Sequence, residues 1–112
     1  MQVFRTLTRF YVDDLPSAMA LFEAVYGRRE LEYRHPIYDL QVAVVGSALV
    51  IAGAAEELDK VRGAQAAIVV DDLDAALALG GSSERGIQEA DGRRQATVTY
   101  AHGAVIEWIE LT

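Results

Sequence analysis

The chain has 112 residues, 52% of them hydrophobic, with ten lysines and arginines against 17 aspartates and glutamates, for a formal charge of −7. That length suits one domain with one core, so two halves of it must fold together. The acidic balance argues against a nucleic-acid surface, which needs a basic face, and the absence of cysteine removes disulfides and thiolate metal sites.

The N-terminal segment "MQVFRTLTRF" alternates polar and apolar residues and carries Arg5 and Arg9 where a signal peptide needs an unbroken apolar run. It reads as the first strand, and the expected location is the cytoplasm. The phrase "YVDDLPSAMA" follows from Tyr11, with a near copy, "VVDDLDAALA", from Val69. Aligned without a gap, Val12 to Ala20 and Val70 to Ala78 agree at six of nine positions. Each copy follows a strand-like segment, "VFRTLTRFYV" or "AQAAIVV", rich in β-branched and aromatic residues. After the first copy the period becomes helical, with Ala18, Leu21, Phe22 and Val25 on one stripe and Gly27 as the stop. The paired aspartates stand at the strand-to-helix junction, where a carboxylate accepts the orphan N–H groups of the first turn. Pro16 suits that turn.

Strands are expected near Leu31 to Arg34, Leu40 to Val45 and Ala48 to Ala52. The uncharged run "VAVVGSALVIAGAA", Val42 to Ala55, has 14 residues, short of the roughly 20 that cross a bilayer, and Gly46-Ser47 divides it into two buried strands. The second half repeats the plan with a shorter helix from Leu73 to Leu79, then strands near Gly86 to Ala90, Arg93 to Ala101 and Ala104 to Leu111. Turns are expected at Asp91-Gly92 and His102-Gly103. The glycine-rich "LGGSSERG", Leu79 to Gly86, reads as a mobile crossing loop.

A tandem β-α-β-β-β plan resembles the glyoxalase/bleomycin resistance/dioxygenase family, the vicinal oxygen chelate superfamily. The residues carrying the likeness are "YVDDLPSAMALFEAVYG", similar to that family's strand, V-x-D-L turn and helix, and "TYAHGAVIEWIEL", similar to its last hairpin. Phe22-Glu23 and Tyr26 depart from the usual helix residues. The resemblance implies an α+β fold, glyoxalase-like: a single domain over 1–112 made of two βαβββ modules, 1–57 and 58–112, whose cupped mixed sheets surround a cleft. It also implies homodimers.

In metal-using members the resemblance implies four ligand positions, on the first and last strand of each module. Seven residues before Asp14 and Asp72 stand Leu7 and Gln65; aligning Gly46 with Gly103 pairs Val50 with Glu107. Leucine and valine donate nothing, and Gln65 with Glu107 falls short of the three donors a catalytic ion usually needs. His35 and His102 match no ligand position. No metal or other cofactor is therefore expected, a divalent metal being the alternative.

Strand alternation adds Arg9 and Tyr11 beside Leu7, and Ala67 and Val69 beside Gln65. A two-residue turn at His102-Gly103 places Tyr100, Val98 and Arg94 with Glu107, and Trp108 on the opposite, helix-covered face. The candidate ligand-binding residues are thus Arg9, Tyr11, Gln65, Arg94, Tyr100 and Glu107, set in apolar walls from Leu7, Ala43, Val50, Ala67, Val69 and Val105. That mixture suits a small organic molecule. The first reading is a metal-free binding protein. The alternatives are an enzyme of lyase, isomerase or dioxygenase type, with Glu107 as general base or metal ligand, and a ligand-free structural or regulatory dimer in which Glu107 pairs with Arg9 or Arg94.

Overall fold

The computed structural model describes residues 1–90 and 92–111. Asp91, half of the expected Asp91-Gly92 turn, lies outside them. In chain order the elements are β1 (Val3–Val12), α1 (Leu15–Tyr26), β2 (Arg29–Arg34), β3 (Gln41–Val45), β4 (Ala48–Ala52), α2 (Ala55–Leu58), β5 (Ala66–Val70), α3 (Leu73–Leu77), β6 (Gln88–Ala90), β7 (Arg93–Thr99) and β8 (Val105–Leu111). This is the α+β, tandem βαβββ order that the resemblance implied, with the short α2 added between the modules. No helix among the described residues is long and apolar enough to cross a membrane.

The chain forms two compact units, Thr8–Gly63 and Met1–Leu7 with Ala64–Thr112. In the first, the strand order is β2-β3-β4-β1, with the second half of β1 parallel to β4 and the other pairs antiparallel. In the second, the order is β5-β8-β7-β6, again with its first and last strands parallel, and the first half of β1 lies beside β5.

The duplicated aspartates build matching helix starts. Asp14 is extended and accepts the Ser17 N–H at 3.0 Å; Asp72 accepts the Ala75 N–H at 3.1 Å. Each bond satisfies one of the donors a first helical turn leaves open. Asp71 is used differently, its Oδ1 accepting the Gln2 N–H at 2.7 Å and so tying down the start of β1. Helix α1 ends at Gly27, whose N–H donates to the Glu23 carbonyl at 2.9 Å.

One face of each unit's strands packs on its helix. In Thr8–Gly63 the cluster is Leu15, Met19 and Phe22 of α1 against Ala43, Val45, Ala48, Val50 and Ala52, with Phe10 and Val12 alongside. In the other unit, Leu73 and Ala76 of α3 meet Val70, Val98 and Trp108, with Ile68, Tyr100 and Ile106 alongside. The expected α1 stripe is corrected here. Of that stripe Phe22 is buried and Ala18 packs against the cluster, while Leu21 and Val25 are each 63% exposed and Leu15 and Met19 complete the buried side. The helix starts at Leu15, so its inward face follows that residue at i+4 and i+7 and the Leu21/Val25 side turns outward.

Both hairpins follow from their turns. Gly46 and Ser47 join β3 to β4 as a two-residue turn in which Gly46 has φ +58, and a Cβ there would lie 2.9 Å from Tyr26 Cβ. The last hairpin is longer than expected: Thr99 pairs with Val105, so residues 100–104 make the connection. It is closed by Tyr100 N–H to the Ala104 carbonyl and Gly103 N–H to the Tyr100 carbonyl, each 2.9 Å. The glycine-rich loop is pinned by paired backbone bonds between Ser82 and Thr99, at 2.8 and 2.9 Å. Gly81 at φ +78 lies so close to β7 that a Cβ would meet Val98 Cγ1 at 2.5 Å.

Candidate functional site

Parallel register extends the sequence repeat to the strands. Arg9 pairs with Leu49, and Ala67 pairs with Glu107; the offsets, 67 − 9 and 107 − 49, are both 58. The same spacing relates Leu7 to Gln65 and Asp14 to Asp72. The counterpart of Glu107 is therefore Leu49, and the expected Val50 is displaced by one residue. Val50 pairs with Phe10 and lies under α1, as does Ala43, which was expected on the opposite face. A one-residue slip moves a side chain across the sheet. The donor count is unchanged, since leucine replaces valine.

The longer last turn corrects the other end. With Thr99 opposite Val105, Glu107 faces Thr97, and Gln95 faces Ile109. Alternation then places Arg93, Gln95, Thr97, Glu107, Ile109, Ala67 and Val69 on the face away from α3. Tyr100, Val98 and Arg94, expected beside Glu107, belong to the helix side. The Tyr100 hydroxyl accepts the Trp108 Nε1–H at 3.0 Å, and both pack near α3, as expected for Trp108 alone. Arg94 lies 3.2 Å from Glu110, 3.6 Å from Glu89 and 3.8 Å from Asp74. Glu110 in turn accepts the Leu73 N–H at 2.7 Å, so this group supports the start of α3.

What surrounds Glu107 is a buried polar row. Gln95 Nε2 donates to Glu107 Oε2 at 3.1 Å, and Arg93 Nε donates to Gln95 Oε1 at 3.1 Å. Glu107 and Gln95 are each 5% exposed, and Arg93 is buried too. The Gln95 amide is thus fixed in orientation, its oxygen toward a cation and its nitrogen toward an anion. Ala67, Val69 and Ile109 on the same face are buried and apolar, whereas Thr97, directly across the ladder from Glu107, is exposed. The row therefore ends where its face meets solvent. Gln95 and Arg93 escaped the sequence reading because the turn was counted two residues long; a five-residue count would have found both.

Gln65 is exposed, and its side chain is occupied by structure: Oε1 accepts the Val105 N–H at 3.1 Å, while its own N–H donates to the Val105 carbonyl at 2.9 Å. It extends the β5–β8 pairing by side chain.

Arg9 and Tyr11 come together in the unit Thr8–Gly63. Arg9 Nε donates to the Tyr11 hydroxyl at 2.8 Å; Arg9 Nη2 and the Tyr11 hydroxyl reach the Val61 carbonyl at 3.1 and 3.3 Å. Arg62 lies over the Tyr11 ring, 5.3 Å from its centroid. Val61 and Arg62 follow α2, an element too short to show a helical period in the sequence.

Both histidines are turn elements. His35 Nδ1 accepts from the Ile37 and Tyr38 N–H groups at 3.1 and 3.2 Å and stacks on Tyr38; His102 Nδ1 accepts from Ala104 N–H at 3.4 Å and stacks on Tyr100. Among the described residues no group of three or more histidines, aspartates or glutamates is placed to hold a metal ion. Of the four positions related by the repeat, Leu7 and Leu49 offer no donor and the Gln65 oxygen is bonded to backbone.

No family model and no curated protein matches the sequence. Among solved structures, an uncharacterized protein from Methanosarcina mazei is 29% identical over 100% of this chain and 95% of its own, with a TM-score of 0.85, and has the same fold. Solved structures that the chain resembles more loosely include members of the glyoxalase/bleomycin resistance protein/dioxygenase superfamily. One, from Vibrio splendidus 12B01, is 17% identical, covering 97% of this chain and 99% of that one at a TM-score of 0.43. Another, TnmS3, an antibiotic binding protein from Streptomyces sp. CB03234, is 16% identical over 95% of each chain at 0.32. Agreement at those two scores is too loose to transfer a site residue from one chain to the other.

Proposed function

We propose that this chain is a metal-free small-molecule-binding protein of the glyoxalase/bleomycin-resistance type, holding an organic ligand against the face of β7 and β8 that carries Gln95 and Glu107. The observation that supports this most is the buried row itself: a carboxylate bonded to an amide that an arginine orients, on an otherwise apolar face, with an exposed threonine at its edge. Sparse, oriented polar groups on apolar walls are what small-molecule sites use to fix a ligand. Arg9 and Tyr11 belong to the unit Thr8–Gly63, where they bond each other and the Val61 carbonyl, and form no part of this face. Arg94, Tyr100 and Gln65 are left out, because each is engaged in holding α3, Trp108 or β8. The metal-free part rests on the two leucines at repeat positions 7 and 49. A homodimer in the cytoplasm completes the reading.

Thermal unfolding against a panel of small organic compounds, with and without chelator, tests it. The expected result is a compound that raises the melting temperature equally in both conditions; at a hundredfold excess over Kd the gain is about 2.7 kcal/mol. Stoichiometric zinc, nickel, manganese or iron in protein purified without chelator contradicts the metal-free part and moves Glu107 to the role of ligand.

A further inference from the structure

The connection between β2 and β3 is shut by a histidine ring. Its base is the Arg34–Gln41 pair, with the His35 N–H donating to the Leu40 carbonyl at 2.8 Å. Leu40 is 1% exposed and packs so closely on Gly53 that a Cβ there would meet Leu40 Cδ2 at 2.6 Å, which anchors that end. In the span between, Pro36 has no N–H to give, and the next two, from Ile37 and Tyr38, both donate to His35 Nδ1, at 3.1 and 3.2 Å. The imidazole stacks on the Tyr38 ring with 5.1 Å between centroids, and Lys60, just after α2, lies over the same ring at 5.3 Å.

A turn closed by a side chain two residues upstream ordinarily uses Asn, Asp, Ser or Thr, whose oxygen goes on accepting across the range near neutral pH. An imidazole nitrogen does not. Nδ1 accepts only through its lone pair, so the neutral ring carries its proton on Nε2, and a further proton on Nδ1 turns the acceptor into a donor aimed at two donors. The closed span binds no proton at Nδ1 and the opened span can, so falling pH favours opening. The charges packed around the span in this unit leave that sign unchanged: Arg34 bonds Asp39 at 2.7 Å and Lys60 bonds Glu57 at 2.9 Å, two cations each answered by a carboxylate. The two N–H groups at Nδ1 decide the outcome.

We propose that residues 35–40 form a pH-operated latch, shut while His35 is neutral and released when Nδ1 takes a proton. A histidine in water takes that proton at roughly pH 6.5, so the latch holds at neutral pH and yields in mild acid. Release frees Pro36 to Asp39, and the Tyr38 ring with them. Buried Leu40 and the Arg34–Gln41 pair keep β2 and β3 in register, so the movement is a local opening. His102 is no second latch. Its Nδ1 accepts one N–H, from Ala104 at 3.4 Å, in a hairpin already closed by the backbone bonds of Tyr100, Gly103 and Ala104.

Amide hydrogen exchange followed by NMR, on wild type, His35→Asn and His35→Ala, tests it. In wild type the protection of the Ile37 and Tyr38 N–H groups, corrected for the intrinsic dependence of exchange on pH, is expected to fall about tenfold from about pH 8 to about pH 5. The amides of β3 are expected to keep theirs. The asparagine Oδ1 stands one bond from Cγ as Nδ1 does, accepts the same donors and takes no proton in this range, so His35→Asn is expected to stay shut throughout. His35→Ala offers no acceptor and is expected to be open throughout, while His102→Asn responds as wild type does. The latch is overturned by wild-type protection that does not change with pH, by His35→Asn losing it as wild type does, or by His35→Ala keeping it. It is overturned equally by a His102→Asn chain that no longer responds, or by ring nitrogen shifts that place the neutral proton on Nδ1. Protection lost along β3 together with the span is unfolding of the unit, and overturns it too.

Discussion

The two βαβββ modules use one plan to different ends, and the contrast is confined to one side of the strands. On the helix side, counterparts 58 residues apart are interchangeable in kind: Phe10 and Ile68, Val12 and Val70, Leu15 and Leu73, Val50 and Trp108 all pack in their module's helix cluster. On the other side the modules part. Leu49, Val44 and Val42 of the first correspond, through the register of each hairpin, to Glu107, Thr97 and Gln95 of the second. The helix side is set by packing, which asks only for apolar volume and therefore repeats. The other side is free to differ: the first module carries Arg9 and Tyr11 on β1, where the second has Ala67 and Val69, and the second carries its buried polar row on β7 and β8, where the first is apolar.

The contrast is sharpened first by cutting into what the modules share. Trp108→Ala and Phe22→Ala each remove a large side chain from a helix cluster and are expected to cost about 3–5 kcal/mol. Urea unfolding measures this, and equal costs along a single transition mark the two clusters as parts of one cooperative structure.

Next comes what they do not share. Glu107→Leu gives the second module the residue of the first and leaves the Gln95 amide without its carboxylate. Unfolding is expected to show a loss of about 1–3 kcal/mol. Adding Gln95→Val, the residue at position 42, removes the stranded amide but also takes the Oε1 acceptor from the buried Arg93 Nε–H, so the double variant is not expected to recover that loss. The double variant still costs less than the sum of the single ones, because neither half of the Gln95–Glu107 bond is left buried alone.

The smallest effects lie at the helix caps. Asp14→Ala is expected to cost about 1 kcal/mol. Asp72→Ala is expected to cost less, since Glu110 also bonds the first turn of α3 through Leu73 N–H. Chemical denaturation of the two variants side by side checks the ranking.

Much of the fold was legible because the repeat states it twice. The bounds of β1 and β4, the aspartate caps and the place of Trp108 follow from pattern alone. The site was less legible, for one physical reason: strand faces alternate every residue, so each counting error of one reverses an assignment. Aligning Gly46 with Gly103 moved the counterpart of Glu107 from Leu49 to Val50, and a turn counted two residues long put Tyr100 and Arg94 beside Glu107 in place of Thr97 and Gln95. Carrying the 58-residue spacing through to the last strand would have avoided the first error. The second depended on the loop 100–104, whose bonds between Tyr100, Gly103 and Ala104 are not written in residue types. Helix α2, and with it the Val61 carbonyl that receives Arg9 and Tyr11, is too short for any periodic signal.

The central claim, that Gln95 and Glu107 are present to hold a ligand, is tested most directly by binding measurements on wild type and the Gln95→Val/Glu107→Leu double variant, using any compound that stabilises the wild type. The account predicts that the double variant remains folded and loses the compound, with affinity down by at least about tenfold. A double variant that binds the same compound as tightly as wild type would contradict it, and would make the buried row a structural feature of the second module.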